Sequence, residues 1–306
     1  MLSLMSSKPA RENHLYGGQA VIEGVMMRGR DHWAVAVRRP DGDIHLESHD
    51  VSVSQRRRFL RWPGFRGVIA LWQSLAIGIK ALTISANQAI PEDERLSSKQ
   101  MGFSMVFALI LFIGIFIVGP AVAFGFVKHH VSSSILANVL EGVFRVALFL
   151  GYLVLISRMK EIRRVFQYHG AEHKTIAAYE HESPLEPASV DRYSTLHVRC
   201  GTNFLLIVMI LTIFVFALFG NPGWLWRILS RIIAIPIIAG IAYEFLRLGA
   251  RFPNSLVMRA VMKPGLWLQK ITTKAPDHEQ IEVAISSFSE VLRREEGAAA
   301  PVPTTS

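Results

Sequence analysis

The sequence predicts a mainly α-helical, polytopic membrane protein: about four transmembrane helices, an interfacial helix and a small N-terminal cytoplasmic β-hairpin module. Three observations predict it. Of the 306 residues 51% are hydrophobic and 19% are charged, and the mean hydropathy is +0.31, too apolar for a soluble chain of this length. The apolar residues gather in blocks about as long as the roughly 20 residues that a helix needs to cross a hydrocarbon core. Basic residues crowd one connecting segment and so fix an orientation.

Residues 1–16 form a tail, and because 1–14 lacks an apolar h-region no cleavable signal peptide is expected. Residues 17–60 make the cytoplasmic module. It opens on a glycine-punctuated stretch from Gly17 to Gly29; then 33–38 and 44–53 alternate apolar with polar residues across Pro40-Asp41-Gly42-Asp43, which predicts a β-hairpin. Within 61–100, residues 64–87 have a helical pattern in which Arg66, Gln73 and Lys80 leave a polar stripe. The basic cluster before it favours an interfacial or site-covering helix over a fifth span.

The membrane domain, 101–249, holds apolar blocks at 103–127, 135–157, 203–220 and 232–248. The second carries Glu141 and Arg145 four apart, and the last carries Glu244 and Arg247 three apart. Each pair is expected to bridge within its helix and lower the cost of charge in lipid. Residues 250–294 supply a basic connector and an amphipathic helix over 277–294, with Ile281, Ala284, Ile285, Phe288 and Leu292 on one face. The Ala/Pro/Thr-rich 295–306 tail is expected to be disordered.

Between the second and third spans lie Arg158, Lys160, Arg163, Arg164, Lys174, Arg192 and Arg199, whereas the other two loops offer Lys128, Arg227 and Arg231. Lys and Arg near span ends stay on the cytoplasmic side, so both termini and the 158–202 loop are expected in the cytoplasm, the membrane being a bacterial inner membrane. The net charge of +9 invites a nucleic-acid reading, but Arg56-Arg57-Arg58 and Arg61 sit beside Trp62 in an amphipathic context. Anionic membrane lipids are the expected partner, and no nucleic acid. The single Cys200 excludes an internal disulfide and fits a reducing compartment.

The 158–202 loop carries the candidate site. In His169-Gly170-Ala171-Glu172-His173 a helix would place the two histidines one turn apart, with Glu172 on nearly the same side. This is the His-x-x-Glu-His order in which two imidazoles hold Zn²⁺ and the carboxylate activates the water nucleophile. His197 and Cys200 stand three apart just before the third span. Imidazole and thiolate are both first-choice zinc ligands, so His169, His173, His197 and Cys200 complete a tetrahedral set; without Cys200 the three histidines leave a position open for water, as in a catalytic site. Glu180, Glu182 and Glu186 are alternative oxygen ligands. The blander alternatives are polar residues that solvate a helix end, and a Cys200 that acts as a small buried apolar residue. His181 reads as a solvated loop residue, and His129-His130 falls on the other side of the membrane. Glu23, the only acid in the apolar run from Gly17 to Met27, is a second candidate catalytic carboxylate, able to orient a histidine or carry a proton; its alternative is an exposed loop acid.

Four blocks together resemble one family: Gly17 to Gly29, His169-Gly-Ala-Glu-His-Lys-Thr175, Arg199-Cys-Gly-Thr202 and Pro264-Gly-Leu-Trp-Leu-Gln269 look like the signature blocks of the YqhQ-like bacterial membrane proteins. The resemblance runs in order from about Gly17 to about Leu292. It implies a domain of unknown function described as a metal-dependent enzyme, and it implicates Glu23, His169, Glu172, His173, His197 and Cys200. One departure is visible: Val198 stands where the family pattern has proline, which would stiffen the turn before the third span.

The expected function is a zinc-dependent hydrolase at the cytoplasmic membrane interface, acting on a peptide or amphiphilic substrate. Two alternatives remain. One is a non-enzymatic scaffold or accessory factor with a structural metal site; the other is a small transporter that uses Glu141, Arg145 and Glu244.

Overall fold

The glycine-punctuated N-terminal stretch is itself sheet. β1 (Gly17–Val21), β2 (Gly24–Arg28), β3 (His32–Arg38) and β4 (Ile44–Asp50) form a four-stranded antiparallel meander in sequence order. The predicted hairpin is its second half, with Trp33 opposite His49 and Arg38 opposite Ile44. The first half, β1 and β2 joined across Ile22 and Glu23, is additional, because three glycines in ten residues erase the alternation that announces a strand. The computed structural model describes residues 16–51, 65–92, 95, 97–127, 131, 133–218, 224–252 and 255–299. The 56–62 basic cluster, His129-His130 and residues 300–306 lie outside them.

All five central residues of β3, Trp33 to Val37, are buried, so both faces of the sheet are covered. On one face Val25, Met27, Ala34 and Ala36 pack on α5 (Lys160–Glu180) through Tyr168 and Ala171, and on α10 (His278–Ala299) through Ile281, Ala284 and Phe288. On the other, Met26, Trp33, Val35 and Val37 meet Ile77, Ala81 and Ile84 of α1 (Phe65–Gln88). The predicted amphipathic helix over 277–294 is thus α10; it runs on to Ala299, five residues into the stretch expected to be disordered.

The protein is a polytopic helical membrane protein. Among the described residues four helices are long and apolar enough to cross a membrane: 66–88, 99–118, 135–156 and 201–218. The first lies in α1, for which an interfacial or site-covering helix was predicted. Its composition permits a crossing, while its contacts cover the sheet with one face and leave Trp72 and Leu75 exposed on another. The block at 103–127 is α2 (Ser98–Ile113), a π-helical turn (Gly114–Val118) and α3 (Gly119–Val127). Pro120 accounts for the irregular turn, since it has no N–H to continue the ladder. Beyond it come α4 (Ser134–Ile156), a short α6 (Pro187–Val190) after α5, α7 (Gly201–Leu218), α8 (Trp224–Arg251), which contains the predicted span 232–248, and α9 (Leu256–Thr272). Within α4, Glu141 and Arg145 form the predicted ion pair. The Glu244–Arg247 pair does not form: Glu244 instead takes Arg66 of α1 through two hydrogen bonds, because α1 crosses α8 where Gly67 faces Gly240 and Tyr243.

Candidate metal centre

α5 carries the site because its period of 3.6 residues divides its buried side. Tyr168 and Glu172 face the sheet, and His169 and His173 face the chain segment that precedes α7. Each histidine donates its Nδ1–H to a backbone carbonyl, His169 to Thr272 at 2.8 Å and His173 to Thr195 at 2.5 Å. With those tautomers both Nε2 atoms present lone pairs. The Nε2 of His169 lies 3.1 Å from the Sγ of Cys200. The Nε2 of His173 is buried and has no hydrogen-bond partner among the described residues.

Ligand atoms of His169, His173 and Cys200 all lie within 4.8 Å of one another. Nitrogen, nitrogen and sulfur at this spacing form a donor set that fits Zn²⁺, and an orphaned imidazole nitrogen aimed into the group fits it too, since a buried lone pair without a partner is costly. The carbonyls of Thr272 and Thr195 fix both rings, as outer partners do for histidines that ligate a metal.

Cys200 caps the N-terminus of α7, where the Thr202 N–H points at its sulfur at 3.4 Å and the Thr202 hydroxyl lies at 3.2 Å. Burial, then the nearby Glu172 charge, push the thiol up to about 12, against these donors. A cation in the group reverses that balance and favours the thiolate. Burial also drives the His173 imidazolium well down, helped by charge on His169 and His197, so the ring is neutral as a ligand must be.

Glu172 lies beside the group, outside the cluster of His169, His173 and Cys200. Burial raises its carboxyl to about 7, against a lowering pull from His169 and from the backbone N–H of Gly18. Gly18 is necessary there: a Cβ would stand 2.8 Å from the Glu172 Cγ and 2.7 Å from the Met26 carbonyl oxygen. No signal in the sequence pointed to that contact across 154 residues, apart from Gly18 belonging to one of the four family-like blocks.

Two predicted residues stand outside the three-residue cluster. His197 is next to the group, its ring 5.6 Å from that of His173, but its Nε2 faces Glu180 at 3.3 Å. Burial pushes its pKa down to about 4. The ring is turned by its backbone, which Gln269 of α9 clamps: the His197 N–H donates to Gln269 Oε1 and Gln269 Nε2 donates to the His197 carbonyl, both at 2.8 Å. Asn203 Nδ2 holds the Val198 carbonyl at 2.7 Å, a fixed turn without the expected proline. Glu23 sits in the β1–β2 turn with φ of +50° and is taken by Arg164, Nε to Oε1 at 2.6 Å, and by the Tyr168 hydroxyl at 3.3 Å. It stays with α5 one and two turns before Glu172, where the tight turn holds it. Glu180 pairs with Arg199 as well as His197, and Glu182 and Glu186 are exposed; none of the three reaches the group.

His169, Glu172, His173, His197 and Cys200 line a cavity of about 640 Å³ walled by β1, α1, α5, the start of α7 and the second half of α8. Residues 62–294 match the family described as "Protein of unknown function (DUF1385)". The chain belongs to that family. It is also 37% identical over 300 residues to "Uncharacterized protein YqhQ" of Bacillus subtilis (strain 168), covering 92% of this chain and 93% of the relative. No solved structure matches the chain. In this DUF1385 protein the four family-like blocks converge on one place. The first supplies Gly18, the second the helix with His169, Glu172 and His173, and the third Cys200 at the α7 terminus. The fourth supplies Gln269 and Gly265, where a Cβ would meet the Asn203 side chain at 2.0 Å, so α9 can pack directly on α7.

Proposed function

We propose that the protein is a metal-dependent hydrolase, with Zn²⁺ the expected ion, that acts on an amphiphilic substrate at the cytoplasmic face of a bacterial inner membrane. The reading is carried by the buried Nε2 of His173, without a hydrogen-bond partner among the described residues, on a ring clustered with His169 and Cys200. His169, His173 and Cys200 would hold the ion. When bound, it would supply Lewis-acid polarisation of a carbonyl or phosphoryl group and lower the pKa of water.

Glu172 has the position of a general base: burial raises its carboxyl to about 7 before any cation is bound, and from beside the group it would take a proton from water and return it to a leaving group. Gly18 and the sheet fix its carboxylate, and the cavity gives substrate a place beside it. His197 also lines the cavity, and a rotation away from Glu180 would turn its Nε2 towards the group. The orientation rests on the basic residues of the 158–202 segment.

A structural metal is the competing reading, and the cavity of about 640 Å³ against the cluster favours a catalytic one. The test is metal content and hydrolysis of generic ester and phosphoester substrates for wild type, Glu172→Gln and His173→Ala. A hydrolase predicts that Glu172→Gln retains metal and loses hydrolysis while His173→Ala loses both. Hydrolysis that survives Glu172→Gln at the wild-type rate would remove this role.

A further inference from the structure

Arg247 lines the same cavity as Glu172 and the three ligands, is exposed, and makes no ion pair or hydrogen bond among the described residues. Its neighbour three positions back, Glu244, is taken by Arg66. The other guanidinium of the lining, Arg199, is matched by Glu180. A cationic side chain facing a cavity without a counter-charge is a vacant place for an anion, and a guanidinium receives carboxylate or phosphate through two parallel hydrogen bonds.

Around it the walls are apolar. Tyr243 lies one turn before Arg247 on the same face of α8, Leu246 lines the cavity beside it, Ala70 and Leu71 come from α1, and Phe204 comes from α7. α1 and α7 are two of the helices apolar enough to cross a membrane, so these walls lead from the cavity towards lipid.

We infer that the ligand of this cavity is an anionic amphiphile, whose phosphate or carboxylate is received by Arg247 and whose apolar chain runs between α1, α7 and α8. Arg247 is then a specificity-determining residue that sets the anion at one end of the cavity and leaves the rest of the head beside Glu172. The inference deepens the hydrolase reading and rests on it for the fate of the bound molecule, but not for binding.

The test is calorimetric titration of full-length protein in phosphatidylcholine nanodiscs, with empty discs as the blank. The probes are decyl phosphate, inorganic phosphate and decanol; the proteins are wild type, Arg247→Gln and Arg247→Lys, each with and without zinc. Wild type should bind one decyl phosphate. Arg247→Gln should weaken it about tenfold or more, Arg247→Lys by less, and inorganic phosphate and decanol should each bind wild type at least about tenfold more weakly. Equal affinity of wild type and Arg247→Gln for decyl phosphate overturns the proposal. So does inorganic phosphate or decanol binding as tightly as decyl phosphate. If Arg247-dependent binding persists in protein that takes up no zinc, the hydrolase reading fails and this one stands. Zinc uptake with no effect of Arg247 gives the converse.

Discussion

The Nε2 of His169 lies 3.1 Å from the Sγ of Cys200, which the chain reaches only after the rest of α5, α6 and a loop. Two fixed helix segments make the approach: the buried middle of α5 and the N-terminus of α7, with Gln269 of α9 clamping the loop between them. The clamp carries a prediction. Gln269 is fully buried, and Gln269→Ala leaves the His197 N–H and carbonyl without partners, at about 1–3 kcal/mol for each group. Zinc affinity should fall about tenfold to a hundredfold, as when an outer-sphere support is lost, and competition with a chromogenic chelator measures it.

Gly18→Ala places a methyl group against the Glu172 side chain and the Met26 carbonyl. Overpacking of this kind costs about 1–3 kcal/mol, and the Glu172 carboxylate must move. The expected outcome is a lower unfolding temperature and loss of hydrolysis with zinc content retained. A variant with wild-type stability and activity would show that the contact is slack.

Glu23→Gln tests whether that residue belongs to the site at all. Its partner Arg164 is half exposed, so the pair is worth no more than about 1 kcal/mol. Zinc content and hydrolysis should be unchanged. Loss of either would return Glu23 to the catalytic set in which the sequence had placed it.

Stability of the chelated, metal-free protein should depend on pH with opposing contributions. The His197 pKa falls from 6.5 to about 4 and that of His173 is lowered too, so their contributions are present above 6.5 and are lost as pH falls towards 4. Glu172 is raised from 4.5 to about 7, so its contribution is present below 4.5 and is lost as pH rises to 7. Between pH 4.5 and 6.5 two groups stabilise with rising pH and one opposes them. The unfolding temperature should therefore rise across that window, and rise more steeply in Glu172→Gln, where the opposing group is gone. An equal or shallower rise in Glu172→Gln would contradict the burial of that carboxyl.

Helical periodicity made α5 and its histidines legible, because His169 and His173 had to share a face once the segment was helical. The apolar blocks made α2, α4 and α7 legible in the same way. The β1–β2 hairpin was not, since glycines carry no facial pattern. The partners of Glu244 and His197 were not either: Arg66 and Glu180 are brought to them by helix crossings and by a loop clamp that spacing along the chain does not encode. Cys200 was legible as a candidate by residue type, and its approach to His169 depends on α9, whose Gln269 and Gly265 fix the loop and the α7 terminus.

Metal coordination by one thiolate and two imidazoles is tested most directly by cobalt substitution. Full-length protein purified without chelator, loaded with one equivalent of Co²⁺ and read by absorption spectroscopy, should show a sulfur-to-cobalt charge-transfer band in the near ultraviolet. Zinc should bleach it, Cys200→Ser should abolish it and His173→Ala should weaken or abolish it. A wild-type spectrum with no such band, or a band that persists in Cys200→Ser, would contradict the proposed centre.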